Sequence, residues 1–356
     1  MSLYYDYTKT LSYDADITAI ISMRDRGKTY GIRKAVINDF LKRGQRFVEI
    51  CRYKENLSMM LTGYFDKVAR EFPDYIFKTE GKRAYIAHRP PEDENGKPKE
   101  KPKWQHIGYF IALTDAQNAK KATYDKVNKV IFDEFIIDKV NNPYGRYLPN
   151  EYNLLANLVD TVSRERPESD RKPHIIMMAN ACDLFNPYFA FWGIDKVPPF
   201  GYTWYRDKTV ILHYEDTEAL ADDKINKTVA GRMTKGTKEA VVAASNAFIV
   251  SDGGLIAKKP KNARYEFGIV ADGKEFGVWS DWQEGYYYIT SKCLNDKNYL
   301  TYYVTRSDAS INRLQAHRAE PAIRSLIDLN RLSLIKYSSG YIKETFFDIL
   351  KKFGGV

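Results

Sequence analysis

Cysteine is scarce in this chain. Cys51, Cys182 and Cys293 are far apart among 356 residues and form no C-x-x-C pair. That excludes a disulfide framework and suits buried or free thiols in a reducing compartment. The histidines are only five, His88, His106, His174, His213 and His317, with no metal-ligand spacing; no zinc site is expected. No apolar run approaches a membrane span, and Met1 to Thr10 is polar and aromatic without a signal-peptide apolar core. A cytosolic chain with no membrane partner is the expectation. Acidic residues are the minority, 46 against 55 Lys and Arg, which leaves a net charge of +9. Such a balance is compatible with a polyanionic partner such as nucleic acid, and equally with a merely soluble basic protein. The length suggests two domains more than one.

What is present begins with alternation. Ile17 to Ile21 and Arg46 to Arg52 read as short buried strands, each followed by a helical pattern, Tyr30 to Lys42 and Asn56 to Glu71. Tyr75 to Phe77 and Ala84 to His88 suit a hairpin. Pro90 to Lys103 is charged, Pro-rich and aperiodic, a solvated loop inserted into the domain. Gly108 to Leu113, Lys129 to Phe132 and His174 to Met178 are further strands, and Asn150 to Val162 is an amphipathic helix. Strands alternating with helices predict an α/β core with a largely parallel sheet.

The pattern weakens after Pro198-Pro199, and Glu215 to Ala244 reads as polar helices and loops. Beyond Phe248, Tyr265 to Val270, Phe276 to Trp279 and Tyr286 to Thr290 are antiparallel-type strands. Ala271-Asp272-Gly273-Lys274 supplies turn chemistry between the first two. Ala319 to Leu329 and Tyr341 to Lys352 are helical. The expected organisation is a domain over 1–205, a small helical linker or lid over 206–245, and an α+β domain over 246–356.

The chemistry centres on Ser22-Met23-Arg24-Asp25-Arg26-Gly27-Lys28-Thr29. It lies between a strand and a helix and meets the phosphate-loop pattern G-x-x-x-x-G-K-[ST] except at Ser22. In such loops the N–H groups at the helix start face phosphates, the Lys neutralises charge and the Thr hydroxyl holds Mg²⁺. Lys129-Val130-Ile131-Phe132-Asp133-Glu134 is an apolar strand ending in two carboxylates. In a nucleotide hydrolase the Asp supports Mg²⁺ and the Glu polarises the attacking water. A lone Asp-Glu also suits a helix N-terminus, but one that follows a phosphate loop points to ATP hydrolysis. The Glu beside the Asp places the chain with ATPases that carry an extra strand between loop and carboxylates. Asn180, after Ile175 to Ala179, is the candidate polar sensor at the end of that strand, with an ordinary turn as its other reading. Arg164 and Arg166 follow the helix and could reach a γ-phosphate in a neighbouring subunit, or merely suit a helix end. Arg24 could touch phosphate or restrain Glu134, and Ser22 and Arg26 are grouped with the nucleotide-contacting loop.

In these residues and the motifs around them the chain resembles the DNA-packaging motor ATPases of small short-tailed phages with protein-primed genomes. The resemblance covers nearly the whole chain. It rests on Leu11-Ser12-Tyr13-Asp14, the deviant loop with Arg24, Arg52-Tyr53-Lys54, Phe132-Asp133-Glu134-Phe135, Tyr147 to Glu151, Asp160-Thr161-Val162 with Arg164, and Asn180-Ala181 with Asn186-Pro187-Tyr188-Phe189. It implies a ring of subunits, pentameric in the family, at the portal vertex of a procapsid. The ring drives double-stranded DNA inside with ATP and Mg²⁺, in the host cytoplasm and absent from the mature virion; an RNA adaptor is left open. By matching position Lys28 and Thr29 bind phosphates and Mg²⁺, Asp133 supports Mg²⁺, Glu134 is the catalytic base and Arg164 the trans-acting finger. Lys54 and Lys120 match pore lysines that contact the DNA backbone. The Ser22 substitution and the long acidic insertion near Glu92 to Glu94 depart from the family.

Large packaging ATPases often carry an RNase H-like nuclease after the motor, and the strand order after Phe248 is compatible with that fold. Asp252, Asp272 and Asp281 are nuclease candidates by residue type only, and Asp252-Gly253 and Asp272-Gly273 are better explained as turns. The expectation is a vestigial, basic docking domain in which Lys258, Lys259, Lys261 and Arg264 suit nucleic acid or an acidic portal surface. Another ring translocase or helicase, and a terminase with an active nuclease, are the alternatives.

Overall fold

The computed structural model describes residues 4–94, 97–138, 142, 145–164, 173–217, 220, 226, 229–234, 246, 248, 255–294, 296 and 298–354. The chain forms two compact units, Met1–Cys182 with Pro198–Ile249, and Asp183–Val197 with Val250–Val356.

The first unit is built on a nine-stranded sheet. Its strands are β1 (Ile17–Ile21), β2 (Arg46–Cys51), β3 (Tyr75–Glu80), β4 (Arg83–His88), β5 (Gln105–Ala112), β6 (Val127–Asp133), β7 (His174–Ala179), β8 (Gly201–Tyr205) and β9 (Val210–Tyr214). They lie in the order β3-β4-β5-β2-β6-β7-β1-β9-β8. The run from β5 to β9 is parallel throughout, while β3, β4 and β8 are antiparallel additions at the edges. Central strands covered on both faces need continuous apolar side chains. Ala19-Ile20-Ile21, Val130-Ile131-Phe132 and Ile176-Met177-Met178 supply them, all buried. The outermost β3 is only partly buried and carries a Lys78–Glu80 ion pair of 2.6 Å, a charged edge that discourages further pairing.

Helix α1 (Tyr7–Ser12) and the longer α2 (Lys28–Arg43) touch each other at Gly31, where a Cβ would come within 2.5 Å of the Tyr7 ring. Two expectations need correction here. The helical pattern from Asn56 to Glu71 is broken: α3 (Glu55–Leu61) stops at Thr62, Gly63 turns with φ of 64°, and only a 3₁₀ turn, Val68–Glu71, follows. The boundary at 205/206 falls inside the β8–β9 hairpin, because β9 lies beside β1 in the sheet. Part of the expected linker is therefore sheet, and of the rest a helix over Val229–Thr234 is described. Among the described residues, the inserted segment 90–103 contains one bridge, Glu92 to Pro98.

The second unit has a six-stranded sheet in the order β14-β13-β10-β11-β12-β15. The strands β10 (Arg264–Ala271), β11 (Lys274–Asp281) and β12 (Tyr286–Thr290) form an antiparallel meander. The strands β13 (Thr301–Tyr303) and β14 (Leu314–Gln315) extend it in parallel beside β10, the arrangement expected of an RNase H-like sheet, and β15 (Ile335–Tyr337) adds to β12. Asp272 and Gly273, with φ of 50° and 74°, make the tight turn that the sequence signals. The helices Pro321–Arg331 and Gly340–Lys352 cover the sheet through Ile323, Leu326, Phe346 and Ile349.

The nuclease carboxylates do not converge. Asp272 and Asp281 flank opposite ends of β11, about 25 Å apart at ~3.3 Å per residue. Asp272 is held by the Thr305 hydroxyl at 2.7 Å and Lys352 at 3.0 Å, which keep its carboxyl below the usual range. Asp281 is buried and accepts from the N–H groups of Gln283 and Glu284 in the next turn. Asp252 lies outside the described residues. No cluster of three His, Cys, Asp or Glu side chains suited to a metal occurs among the described residues.

Candidate nucleotide site

Register brings the site together. Ile21 of β1 pairs with Ala179 of β7, and Asp133 of β6 pairs with Met178. The carboxyl ends of three parallel strands thus form one edge, with β7 as the additional strand between loop and carboxylates. Open parallel sheets bind ligands at such an edge. Residues 22–27 leave β1 there. Asp25 and Gly27 both adopt left-handed backbone, φ 67° and 76°, and Gly27 begins α2 without a side-chain cap. The amides of the first helical turn have no partner within the helix, which makes this end a place for an anion.

The side chains around the loop form two hydrogen-bonded groups, one on Lys28 and one on Thr29. Lys28 is buried, and its ammonium donates to the carbonyls of Ser22 and Met23 at 2.8 and 2.9 Å and to Asn180 Oδ1 at 3.2 Å. The Thr29 hydroxyl donates to Asp133 Oδ2 at 2.6 Å. A hydroxyl and a carboxylate this close are oxygen donors of the kind Mg²⁺ takes beside nucleotide phosphates. The two sequence motifs, far apart in the chain, therefore touch.

Glu134 sits next to them in left-handed backbone, φ 55°, a conformation uncommon for a residue with a Cβ and one that persists only where its surroundings impose it. Its N–H donates to Asp133 Oδ1 at 2.9 Å, and the following Phe135 N–H donates to the Met178 carbonyl at 3.2 Å. Arg52 supplies the remaining restraint, donating to the carbonyls of Glu134 at 3.2 Å and Phe135 at 2.8 Å while its Nε faces the Glu151 carboxylate. Glu134 reaches solvent, yet lost hydration in the cleft raises its pKa; Asp133 adds to the rise, and Arg24 and Arg52 oppose it.

Other residues singled out from sequence fall elsewhere. Arg24 is half-exposed and pairs with Asp138 at 2.7 Å; its charge acts on Glu134 without a described bond to it. Ser22 and Arg26 are turned to Glu215, a residue with no local motif to reveal it. Arg164 caps the helix Glu151–Ser163, is exposed and pairs with Asp160 at 3.2 Å. Arg166 lies outside the described residues. Lys54 and Lys120 are exposed; Lys54 comes shortly after β2, and Lys120 ends the short helix Ala116–Ala119 that comes after β5.

The chain as a whole is similar to known proteins. The family model described as podovirus DNA encapsidation protein (Gp16) matches residues 1–353. The DNA packaging protein of Bacillus phage phi29 is 30% identical over 354 residues, which cover 99% of this chain and 98% of that one. The DNA packaging protein of Bacillus phage B103 is 34% identical over 281 residues, 79% of each chain. A chain of the bacteriophage phi29 viral genome packaging motor assembly superimposes with a TM-score of 0.67 at 28% identity, covering 99% of this chain and 100% of its own.

Proposed function

This chain belongs to the podovirus DNA encapsidation protein family, and from that premise we propose that it is the ATP-hydrolysing subunit of a ring that drives double-stranded viral DNA into a procapsid. One observation carries the reading: at one sheet edge Lys28 is hydrogen-bonded to Asn180 and the next residue, Thr29, to Asp133, with Glu134 bonded through its N–H to Asp133.

The roles follow from the chemistry of each group. The loop N–H groups and Lys28 bind the phosphates, and Thr29 and Asp133 hold Mg²⁺, which neutralises charge on the phosphates when bound. Glu134 accepts a proton from the attacking water, a task helped by its raised pKa. Asn180 links Lys28 to the end of β7 and so registers the terminal phosphate. Arg164, exposed at a helix end, is offered to the site of the next subunit. Lys54 and Lys120 contact the DNA phosphates; such contacts are strong and indifferent to sequence, as translocation requires. The ring is pentameric, acts in the host cytoplasm at the procapsid portal, and leaves before the virion matures. The second unit is a docking module without nuclease chemistry.

The test is protection of DNA from added nuclease by procapsids, chain and ATP. Protection that depends on ATP and is lost in Thr29→Ala supports the reading; ATP hydrolysis without protection in any mixture argues for another translocase. Native mass spectrometry with an ATP analogue, with and without portal and RNA, decides ring size and the need for an adaptor.

A further inference from the structure

The loop's one departure from its usual pattern has a partner. Ser22 is fully buried, and its hydroxyl donates to Glu215 Oε2. From the other end of the loop Arg26 meets the same carboxylate, its Nη2 at 2.5 Å and its Nε at 3.2 and 3.3 Å from the two oxygens. The side chains of Arg26 and Glu215 are only 6% and 14% exposed. Glu215 directly follows β9, and its N–H donates to the Ile21 carbonyl at 2.9 Å, which extends the β1–β9 ladder by one bond. Asn246 fastens the same place from behind. Its side-chain oxygen accepts from Ala181 N–H at 3.1 Å, and its amide donates to the carbonyls of Glu215 at 3.1 Å and Ile21 at 3.5 Å. The Tyr214 hydroxyl in turn donates to the Asn246 carbonyl at 2.7 Å.

We propose that Glu215 is a positioning residue for ATP binding: it ties residues 22 and 26 together and so sets the shape of the phosphate loop before nucleotide arrives. A free loop must be ordered when it wraps a phosphate, and prior ordering spares that loss of freedom. A glycine at the first position would leave the carboxylate holding the loop at one end only. The serine hydroxyl supplies the second tie, so Ser22 and Glu215 form one device. Arg26 and Ser22 act inward on the carboxylate instead of on the nucleotide. The inference rests on the loop being an ATP site, and it assigns Glu215 no contact with substrate.

The full-length chain, its Glu215→Ala variant and the double variant Ser22→Gly/Glu215→Ala are compared by hydrogen exchange without nucleotide, by thermal unfolding and by steady-state ATP hydrolysis. In Glu215→Ala, amides over 22–29 should exchange about tenfold faster than in the parent while those of β5 are unchanged. The KM for ATP should rise about tenfold with kcat within about threefold, the pattern of lost binding rather than lost chemistry. Adding Ser22→Gly should recover part of the KM, because no buried hydroxyl is then left without an acceptor. A lowered melting temperature with loop exchange and KM both within about twofold of the parent would reduce Glu215 to a structural partner of Arg26 and overturn the proposal. If the parent hydrolyses no ATP, the exchange measurement still decides the role of Glu215, and it is the ATPase reading that fails.

Discussion

Arg52 and Glu151 form a buried ion pair of 2.9 Å whose arginine also holds the backbone carbonyls of Glu134 and Phe135. Stripping one partner from a buried pair leaves a charge without compensation, so Glu151→Ala should destabilise the chain by about 3 kcal/mol, read by denaturant unfolding. Arg52→Lys keeps the charge but cannot reach a carboxylate and two carbonyls from one planar fork. It should lower kcat about tenfold or more with ATP affinity little changed, because the left-handed backbone at Glu134 loses its outer restraint.

Glu134→Gln should bind ATP and lose turnover by about 10²-fold or more, the range for loss of a positioned general base. Undiminished turnover would remove Glu134 from the mechanism. The variant should also be at least as stable as the parent at pH 7 to 8. A carboxyl whose pKa is raised by folding favours the native state when protonated and loses that contribution as pH rises through its native pKa. The neutral amide avoids the loss, so its advantage should shrink on acidification. In the parent, kcat should fall as pH drops through that same raised value, above the ~4.3 of an ordinary Glu.

His213 predicts acid sensitivity of a different sign. Burial pulls its pKa down to about 4, and its Nδ1 lies 2.6 Å from the Tyr5 hydroxyl with the Tyr202 ring stacked at 4.0 Å. A base whose native pKa is depressed binds its proton more readily when unfolded. Stability is therefore intact above ~6.5 and falls between ~6.5 and about 4, by roughly 2 kcal/mol once solvent screening is allowed for. Denaturant curves at pH 4.5 and 7.5 should show that loss in the parent and a smaller one in His213→Gln.

Arg164→Ala should be inactive alone and recover part of its turnover when mixed with Glu134→Gln, since each subunit supplies the group that the other lacks. The exposed position of Arg164, with Asp160 as its described partner, leaves it available for a neighbour. No recovery at any mixing ratio would place Arg164 outside the site.

Gly31→Ala should destabilise the chain by about 1–3 kcal/mol, although alanine is the better helix former. The added methyl would meet the Tyr7 ring at 2.5 Å. The double change Tyr7→Ala/Gly31→Ala should reverse part of the loss, which thermal unfolding can read.

The site was legible in sequence where its residues are neighbours in the chain. Gly27-Lys28-Thr29 and Asp133-Glu134 each carry their chemistry in a few consecutive positions at the end of an apolar run, and Asn180 follows the same logic. Arg52, Glu151 and Glu215 do not. Each acts through a partner about a hundred or more residues away, and only the parallel pairing of distant strands brings them together. Most strands were legible from their apolar runs. Val210 to Tyr214 was not, because it follows a proline pair and turn residues, and its place beside β1 depends on a partner at the other end of the unit. The broken helix after Leu61 carried its own signal in Gly63, whose positive φ a continuous helix cannot accommodate.

The insertion of β9 beside β1 has a consequence for how the chain is made. The loop at 22–29 precedes its supports in the chain: β1 gains its neighbours from His174–Ala179 and Val210–Tyr214, and Asn246 adds further bonds. At about 5–20 residues per second, the loop waits on the order of ten to fifty seconds for its supports. The loop is thus synthesised well before the residues that complete its surroundings.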